Sequence, residues 1–160
     1  MKDTDQVIFQ IDEKSKLVRT LHYTKEDYTA LARCLNSYKD ADSWPGGFEG
    51  NLQFTPEIVE NQNKGYDFSS YFVVVSPKDD SKIVGTCFVA PSWNLQDAHY
   101  VELLGVDPQH QRQKLGKAML LRATKYATEQ NHRLIGLDTW AGNTNAMPLY
   151  KRQGYSQQLS

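Results

Sequence analysis

Absences bound this chain first. Two cysteines, Cys34 and Cys87, stand in 160 residues, too few for a disulfide scaffold or a four-ligand zinc site. No stretch approaches the roughly 20 consecutive apolar residues that a membrane helix needs. The opening segment MKDTDQ carries no apolar run of the signal-peptide kind. Neither sign of charge is in excess: 18 Lys and Arg against 19 Asp and Glu leave a formal net charge of −1. That balance weighs against a nucleic-acid or anionic-membrane surface. Internal repeats and low-complexity tracts are missing. Neither GxxxxGK[ST] nor GxGxxG occurs, so a Walker loop and a dinucleotide fingerprint are excluded. The expectation is a soluble, cytoplasmic chain forming one domain over residues 1–160.

What is present supports a packed core, since 39% of residues are hydrophobic and 11% aromatic. Residues 1–16 read as a weakly held arm or a first edge strand, and 17–23 as a strand. Thr24 suits an N-cap for a helix to about residue 39, with Glu26 and Asp27 in its first turn. Pro45, Gly46, Gly47 and Gly50 make 40–51 a loop, and Pro56 opens a short helix. Residues 71–76 and 83–90 read as a hairpin around the polar turn 77–82. A strand at 99–106 follows, then a helix at about 114–131 whose apolar stripe is Leu115, Met119, Ala123, Tyr126 and Ala127. Arg122, Lys125 and Glu129 are assigned to its solvent face. A strand at 133–140, a helix at 146–153 and a short strand from Tyr155 complete the order, which is that of a mixed α/β (α+β) fold.

The informative stretch is VDPQHQRQKLGKA at 106–118. A strand ends at Val106, Pro108 breaks it, and a helix starts near Leu115. Residues 108–128 hold five cations (Arg112, Lys114, Lys117, Arg122, Lys125) and no acid. A helix N-terminus presents unpaired N–H groups and a positive dipole end, and Gly116 allows close approach to the backbone. Together these features suit a phosphate or pyrophosphate. An ordinary strand–turn–helix with a solvated basic face fits the same residues.

This stretch resembles the acyl-CoA signature of the GNAT superfamily of N-acetyltransferases, a strand ending V-x-P followed by Q/R-x-x-G-x-G/A. Val106, Pro108, Gln111 and Gly116 fall on it, while Lys114 stands where the first glycine is usual. Downstream, Asn143, Ala146, Leu149, Tyr150, Gly154 and Tyr155 resemble the second motif, N-x-x-A-x-x-L-Y-x-x-x-G-F/Y. The resemblance covers roughly 17–160. It implies a mixed, mostly antiparallel twisted sheet with helices on both faces and a central, splayed parallel pair formed by 99–106 and 133–140. It implies acetyl-CoA as cofactor, its pantetheine arm on the backbone of Leu104 and Val106. Its pyrophosphate would lie on the amides of Gln111, Arg112, Gln113, Lys114, Leu115, Gly116 and Lys117. Asn143 is either a further cofactor contact or an N-cap.

The implied chemistry is direct attack of a neutral amine on the thioester in a ternary complex. The amine must shed a proton, the developing oxyanion needs a donor, and the departing thiolate must be neutralised. Tyr150 matches the family's acid position and also touches the cofactor. Leu104 N–H is the oxyanion donor. Glu102, which by strand parity shares a face with Leu104 and Val106, is the candidate base, with His99, Tyr100 or water as alternatives. It also suits a structural ion pair. Cys34 and Cys87 read as buried apolar residues. No metal site is expected.

The acceptor is expected to be a small-molecule or peptide amine selected by 24–68. Trp44, Phe48 and Trp93 are pocket candidates, and Asp40, Asp42 and Glu49 could attract a cation. A non-catalytic acyl-CoA sensor is the alternative, with Lys114 as the feature pointing to it. No nucleic acid or membrane partner is expected. Because five residues follow Tyr155, the last strand is expected to come from a further C-terminal segment or a homodimer partner.

Overall fold

The computed structural model describes residues 9–10, 17–22, 24–38, 53–65, 68–92, 96–110, 114–132, 134–137, 151–152 and 155. In chain order these include β1 (Phe9–Gln10), β2 (Leu17–Thr20), α1 (Lys25–Tyr38), α2 (Pro56–Gln62) and β3 (Tyr71–Ser76). There follow β4 (Asp79–Pro91), β5 (Ala98–Val106), α3 (Leu115–Glu129) and β6 (Leu134–Leu137). Among the described residues no helix is long and apolar enough to cross a membrane.

The cap expected at Thr24 is used, and the structure adds one at Thr55. Thr24 Oγ1 accepts from Asp27 N–H at 3.1 Å. The Asp27 carboxylate in turn accepts from Arg19 at 2.9 and 3.0 Å and from His22 N–H at 2.7 Å, fastening the start of α1 to β2. Thr55 Oγ1 caps α2 through Ile58 N–H at 3.2 Å, with Pro56 in the first turn.

The strands form one six-stranded sheet in the order β1-β2-β3-β4-β5-β6. Every neighbouring pair is antiparallel except β5 and β6, which run parallel. β3 is buried along its whole length because both faces are covered. Its alternation supplies Phe72 and Val74 to one core and Tyr71, Val73 and Val75 to the other. The first core lies under α3, on Leu115, Ala118, Met119, Leu120, Ala123 and Tyr126. The second lies under α1 and α2, on Leu31, Ala32, Cys34, Leu35, Tyr38 and Val59. A mixed sheet with helices on both faces is what the sequence led us to expect.

β5 and β6 form the expected parallel pair. Two expectations are corrected. The polar turn does not separate the hairpin strands as a simple loop. β4 already begins at Asp79, with its register jumping between Ser76↔Asp79 and Val75↔Ile83. Asp79 Oδ1 holds the excursion by accepting from Ser81 N–H (3.0 Å) and Ser81 Oγ (2.6 Å). Arg122 does not face solvent: it is 7% exposed. Its guanidinium lies 4.7 Å from the centroid of the Phe72 ring, and Nη1 is 3.7 Å from Glu129. The cation–π contact and the long apolar stem explain how a cation joins the buried stripe. The stripe predicted for α3 is otherwise buried throughout.

One close approach fixes α1 against β5. A Cβ built on Gly105 would meet the Tyr38 ring at 2.2 Å. Tyr38 is itself buried and hydrogen-bonded to Thr86 Oγ1. Gly105→Ala should therefore lower stability by about 1–3 kcal/mol, the cost typical of overpacking. Thermal unfolding checks this, and a melting temperature equal to the parent's would show that Tyr38 yields.

Candidate active site

The site is built along β5. Its described pairing with β6 runs from Ala98↔Leu134 to Val101↔Leu137, and β5 continues to Val106. Against β4, Phe88 faces Leu103 but Val89 faces Val101, so Glu102 is the extra residue of a β-bulge. A bulge bends its strand and raises the local twist, and it changes the side-chain alternation. Val101 and Leu104 both join the α3-face core although three positions apart, with Val106 beside them, while Leu103 joins the α1-face core. The alternation is regular from Leu103 to Val106, and the residue it places out of step is Val101. Glu102 is exposed.

The bonding phase of β5 follows from one contact. Asp107 N–H donates to Val84 C=O at 2.8 Å, and Val84 and Asp107 continue the register Gly85↔Val106. Hydrogen-bonded and non-bonded pairs alternate in an antiparallel ladder. The residues bonded to β4 are therefore Gly105 and Leu103. The N–H and C=O groups of Leu104 and Val106 point away from β4, and no described strand pairs with them.

The start of α3 lies against the same stretch, since Leu115 packs in one core with Leu104 and Val106. Lys114 precedes the helix with φ +63°, in the left-handed region, and its side chain makes no capping hydrogen bond. The N–H groups of Leu115, Gly116 and Lys117 precede the first intrahelical bond, Ala118 N–H to Lys114 C=O at 3.1 Å. This first turn contains no acid. Lys114 and Lys117 are exposed and Gly116 is half-buried, so the bulk of Lys114 stands in solvent. The positive φ is the physical reason a glycine would suit that position.

A residue that sequence reading missed closes the turn. Asp107 is 3% exposed. It accepts from Gln109 N–H at 3.0 Å and pairs with Arg33 at 3.3 Å. The signal was present as an acid between Val106 and Pro108, but strand patterning gives no reason to bury it.

The pattern of the Acetyltransferase (GNAT) family matches residues 31–155. The chain belongs to that family. Solved structures agree in fold. Ard1 from Thermoplasma volcanium is similar with a TM-score of 0.64 at 16% identity, over 89% of this chain and 83% of its own. A GCN5-related N-acetyltransferase from Sphaerobacter thermophilus gives 0.70 at 18%, over 92% of this chain and 45% of its own. Glucosamine-6-phosphate N-acetyltransferase from Arabidopsis thaliana gives 0.64 at 14%, over 89% and 92%. As a GNAT member the protein is an acyltransferase.

Of the residues expected to serve a GNAT reaction, Glu102, Leu104, Val106, Lys114, Leu115, Gly116 and Lys117 fall together around the bulge and the start of α3. Gln111, Arg112, Gln113, Asn143 and Tyr150 lie outside the described residues, as do Trp44, Phe48, Trp93, Asp40, Asp42 and Glu49. Tyr155, the last residue of the second motif, packs against the α3-face core that also receives Leu104, Val106 and Leu137.

His99 is set apart from this group. It is 3% exposed and opposite Ile135 in the paired part of the strands, about 16 Å along β5 from Leu104. Its ring stacks on His132 (4.1 Å) and meets Tyr126 edge-on (5.4 Å). Tyr100 also lies in the paired part, its ring beside Gly136. Burial raises the thiols of Cys34 and Cys87 to about 12, so they serve as apolar packing, as expected.

Lys114→Gly should raise stability by about 0.5–1 kcal/mol by relieving the left-handed backbone; chemical denaturation reads this, and a destabilised variant would refute the strain. His99 gives a pH dependence. Desolvation, then the neighbouring His132, lowers its pKa from 6.5. Below 6.5 the unfolded chain therefore binds the proton more readily than the folded one, so stability is full above that pH and falls as pH drops, by at most about 1.4 kcal/mol per unit. His99→Phe should flatten the melting temperature between pH 7 and 5; an unchanged slope would assign the loss to other groups.

Proposed function

We propose that this protein transfers an acetyl group from acetyl-CoA to a primary amine, small-molecule or peptidic, by direct attack in a ternary complex. The observation that carries the reading is the main-chain edge at Leu104 and Val106, unpaired among the described strands, beside the acid-free first turn of α3. An extended arm with amide groups can pair with such an edge as an added strand does. A pyrophosphate suits N–H groups at a helix start, where exposed Lys114 and Lys117 add attraction. Held there, acetyl-CoA supplies an activated thioester carbonyl.

The chain's own groups meet the remaining demands. Glu102, exposed at the bulge, takes the proton of the ammonium directly or through water. Leu104 N–H donates to the thioester oxygen as it gains charge. Tyr150 returns a proton to the departing sulfur. A phenol of pKa about 10 is a weak donor to a thiolate of conjugate-acid pKa about 8.5, so a hydrogen bond to the phenol must assist it.

Release of free thiol from acetyl-CoA over a panel of amines tests this reading. Tyr150→Phe should lower turnover by roughly 10²-fold or more with coenzyme A affinity nearly intact, whereas Gly116→Glu should weaken binding by adding bulk and negative charge to the anion site. Full turnover by Tyr150→Phe would remove the acid role. Failure of the parent protein to bind coenzyme A would overturn the reading.

A further inference from the structure

Asp107 is a carboxylate taken out of water at the point where β5 turns toward α3. Such burial costs several kcal/mol unless hydrogen bonds and an opposite charge compensate it. Its Oδ1 accepts from Gln109 N–H at 3.0 Å, folding the turn onto itself. Its Oδ2 faces Arg33 Nη1 at 3.3 Å and His110 Nδ1 at 3.9 Å. Its main chain is committed as well: N–H to Val84 C=O and C=O to His110 N–H, both at 2.8 Å. The second nitrogen of Arg33, Nη2, donates to Ile83 C=O at 2.6 Å. One planar fork on α1 thus spans β4 and the turn that leads to α3.

The fork joins distant parts of the chain, since Arg33 and Asp107 are 74 positions apart. α1 lies on the sheet face opposite α3, inside the segment 24–68 that sequence reading assigns to acceptor selection. The Arg33 side chain is 43% exposed against 5% for Asp107. An ion pair so open on one side adds little to global stability, so its consequence is geometric. It fixes the Asp107–His110 turn directly after the strand edge formed by Leu104 and Val106.

Resting on the acetyl-CoA reading, we infer that Arg33 and Asp107 are a positioning pair that holds the end of β5 and the Asp107–His110 turn in their cofactor-binding shape, so that α1 sets cofactor affinity. Neither residue transfers a proton. Loss of the pair should raise the KM for acetyl-CoA and leave kcat nearly unchanged.

The test measures coenzyme A affinity by calorimetry, KM and kcat for acetyl-CoA, and melting temperature in the full chain. Arg33→Met and Asp107→Asn, the latter keeping an acceptor for Gln109, should each weaken coenzyme A binding by about tenfold. The double variant should be no weaker than the worse single one, and Arg33→Lys should recover part of the loss. Arg19→Met removes another ion pair that ties α1 to the sheet and should lower stability with coenzyme A affinity unchanged. If the parent binds coenzyme A while Arg33→Met binds equally well, the inference falls and the functional reading stands. The inference also falls if Arg19→Met weakens binding as much as Arg33→Met. If the parent does not bind coenzyme A, both fall.

Discussion

A buried strand edge with main-chain groups turned away from its neighbour is a demand for hydrogen bonds, and the bulge at Glu102 creates that demand. Had β5 stayed regular, the alternation begun at Ala98 would have turned the main-chain groups of Leu104 and Val106 toward β4. One extra residue opposite Phe88 and Val89 shifts that phase and leaves them directed from β4. The same residue realigns the side chains, so that Val101, Leu104 and Val106 all serve the core under α3. Edge and helix start are thereby held on one packed layer.

The opposite face keeps that edge rigid. Tyr38 lies on Gly105 closely enough that no side chain fits there, and its hydroxyl is bonded to Thr86 on β4. Cys34 belongs to the same apolar cluster as Tyr38. Arg33 adds a polar tie one turn away, to Ile83 and Asp107. A strand whose edge must receive a ligand gains from a back face that cannot yield, since a site that moves must be ordered again at each binding event.

Charge in this protein is best understood by location. The near-neutral total conceals the basic run 108–128, yet that run does not act as one patch. Lys114 and Lys117 are exposed at the helix start, whereas Arg122 is buried on Phe72 beside Glu129. Lys125 faces Glu129 at 4.0 Å, both well exposed, a pairing of small energetic weight. The carboxylate of greatest structural consequence, Asp107, lies next to the turn and not within the run.

The sequence by itself determined what depends on local pattern. The cap at Thr24, the start of α2 at Pro56, the buried stripe of α3, the strands at 71–76 and 99–106, and the two motifs that name the family were legible because periodicity, capping chemistry and motif spacing act over a few residues. Tertiary structure decided the rest. That Glu102 is a bulge depends on its partner strand, as does the separation of His99 from the site, where Ile135, Tyr126 and His132 enclose it. That Arg122 is buried and Asp107 linked to Arg33 depends on elements far apart in the chain. A side chain's neighbours across a sheet or between helix and turn are fixed by three-dimensional packing, and one-dimensional spacing carries no record of them.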